Sequence, residues 1–272
     1  MKETDDLQQI QQIERDILRV FANICRKHDL RWFLTEGSLL GAVRHGGMIP
    51  WDDDIDVALF REDYEKFLRA VRDELPEGYS CRNYRWDNDY IECMTKLEDT
   101  RHMIRSSAKG KTFETNVWID IFVIDGMPSG KLAGKIHRFR LLAGKLRVMW
   151  SNIDHYVTAR KRSKYEEFLI KLAKILRTDK LINTHKALHS LEKVMASVKV
   201  RPEGRTVNFI SEYRFKTECE TSSYGKGLET DFDGIAAVIP EKYDRILRKE
   251  YGDYNILPPE SERYKHRLEL IC

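Results

Sequence analysis

Cysteine is sparse and unpaired in this sequence. Cys25, Cys81, Cys93, Cys219 and Cys272 are scattered with no Cys-x-x-Cys spacing, which argues against a zinc site and a disulfide framework and fits reduced cytosolic thiols. Long apolar runs are missing: none approaches the roughly 18 residues of a membrane span. The opening Met-Lys-Glu-Thr-Asp-Asp leads into a polar helix, not the apolar core of a secretion signal. Excess charge is missing too. Lys and Arg number 47 against 44 Asp and Glu, net +3, too little to mark a nucleic acid as partner. There is no internal repeat and no low-complexity segment. Of the 272 residues 42% are hydrophobic, sufficient for the buried core of one large domain or two small ones.

Charge is unevenly distributed. Residues 131–180 hold 14 Lys and Arg against 4 Asp and Glu, net +10, leaving 33 against 40 elsewhere, so the two parts face different partners. Leu7, Ile10, Ile13, Ile17, Val20, Phe21 and Ile24 recur at helical spacing and predict an opening amphipathic helix that ends near Lys27-His28-Asp29. Short strands are expected at 31–34 and 55–59, with a short helix at 38–44 between them and a longer one at 62–73 after. Further strands follow at 90–97 and 117–123. From Lys131 the texture becomes helical, with apolar stripes at Leu132, Ile136, Phe139, Leu142, Leu146 and Met149, then at Tyr165, Phe168, Leu169, Leu172 and Leu176, then at Leu188, Leu191, Met195 and Val198. Arg201-Pro202-Glu203-Gly204 closes this segment as a turn. Strands at 207–210 and 235–238 and a helix from Pro240 to Tyr251 complete the pattern. The class expected is α/β (α+β): a mixed sheet flanked by helices, with a catalytic core at 1–130, a basic helical insert at 131–204, and 205–272 completing the core.

The chemistry concentrates between Glu36 and Val57, in Glu-Gly-Ser-Leu-Leu-Gly-Ala-Val-Arg-His-Gly-Gly-Met-Ile-Pro-Trp-Asp-Asp-Asp-Ile-Asp-Val. Gly37 leaves room for a ligand to approach the backbone, and a helix beginning at Ser38 offers unpaired N–H groups and a positive dipole end to a phosphate. Ser38 adds a hydroxyl donor. Asp54 and Asp56, two apart in a strand, project from one face about 6.6 Å apart, and such like charges repel unless a cation lies between them. Asp120 is the third carboxylate of interest, because Val117-Trp118-Ile119-Asp120-Ile121-Phe122-Val123 is otherwise an apolar strand, where an unpaired acid is costly. Hard oxygen donors without nearby Cys or paired His favour Mg²⁺ or Mn²⁺ over zinc. A lone Asp-x-Asp is often an exposed strand edge and a lone Gly-Ser often a helix cap; the combination with Asp120 makes the case. Asp52 and Asp53 either brace the loop or touch metal. His45, the one His inside the motif, either donates to a phosphate or is structural, and Trp51 reads as a packing wedge.

At these residues the sequence resembles the LicD family, the phosphocholine transferase and fukutin-related group of the nucleotidyltransferase superfamily. Gly37-Ser38 and Asp54-Ile55-Asp56 match the superfamily pattern, and the longer family signature is matched from Gly37 to Asp56. Lys96 to Thr100, Trp118 to Phe122, and Tyr251-Gly252-Asp253-Tyr254 with Pro258-Pro259 and His266 are also similar. The resemblance implies that Asp54, Asp56 and Asp120 bind metal, that Gly37 and Ser38 form the phosphate loop, and that Lys96 contacts phosphate. It implies a CDP-linked alcohol such as CDP-choline as donor, and as acceptor a sugar hydroxyl on a surface glycan or its lipid-linked precursor. A bacterial, cytosolic member is expected.

The mechanism expected has two divalent ions binding the donor pyrophosphate while Asp120 orients or deprotonates the acceptor hydroxyl for in-line attack, with CMP leaving. Two alternatives stand beside it: a nucleotidyltransferase that attaches a nucleoside monophosphate to a small molecule, and a noncatalytic glycan- or nucleotide-binding scaffold. The basic stripes at 131–180 either pack on the core with their Lys and Arg facing water, or bring the protein to an anionic membrane at the inner face.

Overall fold

The opening helix forms as its spacing predicts. In the computed structural model, which describes residues 2–108, 111–153, 164–260, 263 and 267–271, α1 spans Lys2–Lys27 with Arg26 and Lys27 in its last turn. Its stripe is buried: Ile10, Ile17 and Phe21 have no exposed surface. Next come β1 (Trp32–Leu34), α2 (Glu36–His45), β2 (Asp56–Phe60), α3 (Arg61–Glu74) and β3 (Tyr79–Arg82). A long hairpin follows, β4 (Thr95–Ala108) and β5 (Lys111–Met127). These strands make one mixed sheet in the order β1-β2-β5-β4, with β2 and β5 parallel and the other pairs antiparallel. β3 pairs with β4, and β10 (Arg267–Leu270) also lies against β4. Side chains alternate across β2: Val57 and Leu59 on one face, Asp56, Ala58 and Phe60 on the other. Phe21 packs on Trp32 and Phe67 at ring separations of 5.2 and 5.0 Å, while Phe60, Phe33 and Tyr224 stack together at 5.0 to 5.8 Å.

Two expected strands shift. The strand placed at 90–97 begins at Thr95 and runs through the polar Glu98-Asp99-Thr100 to Ala108. Those polar residues are tolerated because Glu98 accepts from the Asn116 side chain at 3.0 Å and Asp99 accepts from Arg101, with a bulge between Asp99 and Met103. The strand expected at 207–210 is β6 (Arg205–Val207), because Asn208 turns the chain: its N–H donates to Thr217 Oγ1 and its carbonyl accepts from the same hydroxyl. β6 pairs with β5 and with β7 (Cys219–Glu220), and β8 (Leu228–Phe232) with β9 (Ile235–Ile239) forms a separate hairpin. Its Asp233-Gly234 turn has φ of 53° and 78°, as a two-residue hairpin loop requires.

Between β5 and β6 lie α4 (Lys131–Ser151), α5 (Lys164–Ile175), α6 (Thr178–Leu181) and α7 (Thr184–Met195); α8 (Tyr243–Tyr251) follows β9. Met127 and Arg205 are register partners, so the chain leaves and rejoins the sheet at one point. α7 is fixed to the core by Leu188, Leu191 and Met195, all buried as its stripe predicts. Its Glu192 accepts from Arg61 at 3.1 Å and from Arg85 and Tyr84. Arg61 also forms a two-pronged pair with the buried Asp125, at 2.8 and 2.7 Å. Gly144 lets α4 close on α7, since a Cβ there would lie 2.9 Å from Leu191 Cδ1.

Of the two readings of the first stripe, packing on the core does not hold for most of its members in α4. His137, Leu141 and Val148 are its buried side chains, whereas Leu132, Ile136, Phe139 and Leu142 are exposed. Two basic residues of α4, Arg138 and Lys145, turn toward the protein: Arg138 pairs with Glu218 and Lys145 lies over the Phe209 ring. In α5, Phe168 is exposed and Leu172 half-buried. The basic run Arg160 to Arg162 and His266 lie outside the described residues.

Candidate metal centre

Strand pairing assembles the site. In the parallel pair β2–β5 the register partner of Asp56 is Asp120, and in the antiparallel pair β4–β5 the partner of Asp120 is Lys96. Neighbouring strands lie about 4.8 Å apart, so the three form a row across the sheet. Asp54, at the end of the loop that enters β2, completes the group: Asp54, Asp56 and Asp120 each offer a carboxylate oxygen within 4.8 Å of the others. Asp52, Asp53 and Asp54 likewise each offer a carboxylate oxygen within 4.8 Å of the others. The row and Asp54 together bring four of the residues singled out from the sequence into one place.

The loop before Asp54 is held on three sides. From α1, Gln11 donates to the carbonyls of Ile49 and Asp52 at 3.2 and 2.8 Å. From the β8–β9 turn, Asp233 accepts from the Met48 N–H at 3.0 Å and pairs with Arg15. This contact needs Gly47, where a Cβ would lie 2.0 Å from the Asp233 carboxylate. From α2, Ser38 Oγ accepts from the Asp56 N–H at 2.8 Å, which fixes the start of β2 and leaves the hydroxyl hydrogen to donate elsewhere. α2 begins at Glu36, two residues earlier than expected, so Gly37 and Ser38 lie in its first turn, where N–H groups lack helical partners. The space left by the missing side chain of Gly37 is used by Asp52, whose Oδ2 would lie 2.6 Å from a Cβ there.

Burial and mutual repulsion raise these acids. Asp54 and Asp56 are pushed well above the usual carboxylate range, first by burial and then by neighbouring carboxylates, Asp52 for Asp54 and Asp54 for Asp56. Burial pushes Asp120 up to about 6 against the pull of Lys96. Asp120 Oδ1 is buried with no hydrogen-bond partner, and the Lys96 ammonium lies 3.8 Å from the centre of the Trp118 ring. A buried, orphaned carboxylate oxygen beside two more acids is what a hard cation would satisfy. Oxygens at about 2.1 Å from a Mg²⁺ are at most about 4.2 Å apart, a separation compatible with carboxylate oxygens that all lie within 4.8 Å of one another, and an all-oxygen set suits Mg²⁺ or Mn²⁺.

Two buried acids escaped the sequence reading. Glu14 of α1 is 2% exposed, with Oε2 unpartnered, and is raised by burial, then by Asp54, Asp53 and Asp52. Its signal was present, an acid on the stripe between Ile10, Ile13 and Ile17. Glu36 takes a left-handed φ of 48° and is raised by burial to about 7. Lys145 of α4, lowered by burial to about 8, is close enough to interact with it. His45 is not brought to the carboxylates. It ends α2, exposed, with Nε2 accepting from Arg44 at 3.0 Å and its ring edge-on to Trp51.

The sequence model described as LicD/FKTN/FKRP, nucleotidyltransferase domain, matches residues 29–124, the interval holding Glu36 to Asp56, Lys96 and Asp120. Over that interval the chain is similar to the LicD family. The chain is 27% identical over 269 residues to the lipopolysaccharide cholinephosphotransferase LicD of Haemophilus influenzae, covering 93% of each. A 94-residue stretch is 49% identical to the uncharacterized protein RP689 of Rickettsia prowazekii, 34% of this chain and 33% of that one. A 49-residue stretch is 43% identical to the human ribitol 5-phosphate transferase FKRP, 18% of this chain and 10% of that one.

Raised carboxylates give the metal-free protein a defined pH signature. Asp120 at about 6 and Glu36 at about 7 lie above their unfolded values of about 4. Between those limits the folded state binds more protons than the unfolded chain, so this contribution to stability falls as pH rises. In chelator, Asp120→Asn is therefore expected to melt with wild type near pH 4 and above it at pH 8, while Mg²⁺ raises the wild-type melting temperature at pH 8. An Asp120→Asn variant that melts below wild type at pH 8 in chelator would show that the acid is not in conflict with its surroundings.

Proposed function

We propose that this chain is a metal-dependent phosphotransferase that moves phosphocholine or a related phospho-alcohol from a CDP-linked donor to a sugar hydroxyl of a cell-surface glycan or its lipid-linked precursor. The observation that carries the reading is the buried row of Asp56 and Asp120 with Asp54 beside it and an orphaned oxygen on Asp120. Asp54, Asp56 and Asp120 hold Mg²⁺ or Mn²⁺, which when bound supplies positive charge to the donor's phosphate oxygens. The first turn of α2 presents its free N–H groups and the Ser38 hydroxyl to a phosphate, and Lys96 lies at the other end of the row. Asp120 accepts the proton of the acceptor hydroxyl as the new oxygen–phosphorus bond forms and the bond to CMP breaks. Residues 1–130 and 205–272 make the catalytic unit, and 131–204 are its helical insert. Among the described residues no helix is long and apolar enough to cross a membrane. With the lipopolysaccharide acceptor of the Haemophilus relative carried over, the enzyme proposed here works in a bacterial cytoplasm at the inner membrane face.

The test pairs binding with product analysis. CDP-choline, CDP-ethanolamine, CDP-glycerol, CDP-ribitol and nucleoside triphosphates are screened by thermal shift with Mg²⁺; a ligand at 100 times its Kd adds about 2.7 kcal/mol. Stabilisation by one CDP-alcohol, with CMP released when acceptor is added, is the expected result. Pyrophosphate released from a triphosphate would make the chain a nucleotidyltransferase instead, and no binding of any of them would leave a noncatalytic scaffold.

A further inference from the structure

The exposed apolar surface of this protein is concentrated on one part of the chain. Among the described residues, eight of the twelve large apolar side chains that stand exposed fall between Leu132 and Leu181, within or next to the 131–180 stretch of net charge +10. α4 shows how the two features combine. At about 100° per residue, Leu132, Ile136 and Phe139 fall within an arc of about 60°, opposite the His137, Leu141 and Val148 face that packs inward. They are 72, 52 and 71% exposed. Lys131 and Lys135 line one side of this arc and Arg140 and Arg147 the other; all four are exposed and none has an ion pair among the described residues. The helix is thus apolar on two faces, one used by the fold and one left outward between rows of cations.

An outward apolar arc between basic rows fits a partner that is anionic at its surface and apolar just beneath. A second copy would bring two net +10 segments together, which repel. We propose that α4 docks flat on an anionic bilayer, with Leu132, Ile136 and Phe139 entering below the headgroups and Lys131, Lys135, Arg140 and Arg147 lying among the lipid phosphates. This surface stands apart from the carboxylate row and rests on its own residues, so it survives or fails independently of the transferase reading.

The experiment is co-sedimentation of the full chain with vesicles of phosphatidylcholine alone or with a third of phosphatidylglycerol, at 0.1 and 1 M salt, where the Debye length shortens from about 10 to about 3 Å. The expected result is binding to the anionic vesicles only, lost at high salt. Ile136→Ser combined with Phe139→Ser is expected to lower the partition coefficient at least about tenfold, and Lys135→Gln with Arg140→Gln to a similar degree. These side chains are exposed, and equal melting temperatures establish that the variants fold. Pelleting of the apolar variant like wild type, or no pelleting with any vesicle, overturns the proposal. A concentration-dependent dimer that the apolar variant splits would also overturn it, by making a second copy the occupant of this face.

Discussion

Asp56→Asn is expected to lower turnover at saturating Mg²⁺ by about a thousandfold or more and to leave the fold intact. Several kcal/mol of transition-state stabilisation depend on a bound cation, and each 1.36 kcal/mol is about tenfold in rate. The change removes one ligand charge while keeping side-chain size. The backbone N–H that Asp56 gives to Ser38 Oγ stays in place, so β2 still starts at the same point. Asp54→Asn is expected to act in the same direction. Asp120→Asn should reduce kcat as far yet weaken donor binding less, because Asp120 stands on β5, next to Lys96, and not on the loop that joins α2 to β2. Calorimetry of donor binding beside steady-state kinetics measures both. Near wild-type turnover in Asp54→Asn and Asp56→Asn would sink the assignment. Parallel collapse of affinity and kcat in Asp120→Asn would make it a principal donor-metal ligand and remove its role as base.

Arg61→Met is expected to destabilise the protein by about 3 to 5 kcal/mol, the usual result of breaking a buried ion pair from one side. Asp125 is 2% exposed and receives two hydrogen bonds from Arg61, so the substitution leaves a carboxylate with no route to water. Arg61 also reaches Glu192 of α7, and the loss therefore loosens the attachment of the helical segment as well as the end of β5. For a chain of this size such a loss corresponds to a drop in melting temperature of about 10 °C. Asp125→Asn removes the stranded charge and should cost less than Arg61→Met. Thermal unfolding of the two variants with and without Mg²⁺ checks this, and a change under about 1 kcal/mol for Arg61→Met would show the pair to be dispensable.

Much of the site was legible because its residues are close in sequence or conspicuous where they stand. Gly37, Ser38, Asp54 and Asp56 lie in one motif, and Asp120 is the single charge in the apolar stretch from Val117 to Val123. What could not be read was the pairing: β2 and β5 are distant in the chain, and nothing local says that Asp56 and Asp120 are register partners. Glu14 was overlooked because the helical stripe was read for its apolar members, although burial with an unpartnered oxygen sets it apart from the rest of α1. α4 misled for the opposite reason. A periodic apolar stripe is normally the buried one, but here the smaller and more polar surface of His137, Leu141 and Gly144 closes on the protein, with Gly144 meeting Leu191. Gly37 was recognised for its missing side chain, and the occupant of the space proved to be Asp52.

The pairing of Met127 with Arg205 bears on how this protein can change over evolutionary time. Whatever chain runs between two register partners, its ends are held one strand spacing apart, about 4.8 Å. The entropic cost of closing such a connection rises only with the logarithm of its length, by about 0.6 kcal/mol for each doubling. Provided α7 keeps its contacts with Arg61, Arg85 and the core, the chain between Met127 and α7 can lengthen, shorten or exchange its helices at little thermodynamic cost. The carboxylate row lies on the same β5 but at Asp120, on the pairs with β2 and β4 and away from this junction. Descendants of one catalytic sheet can thereby acquire different outer surfaces, and with them different places to work, without altering a residue of the centre.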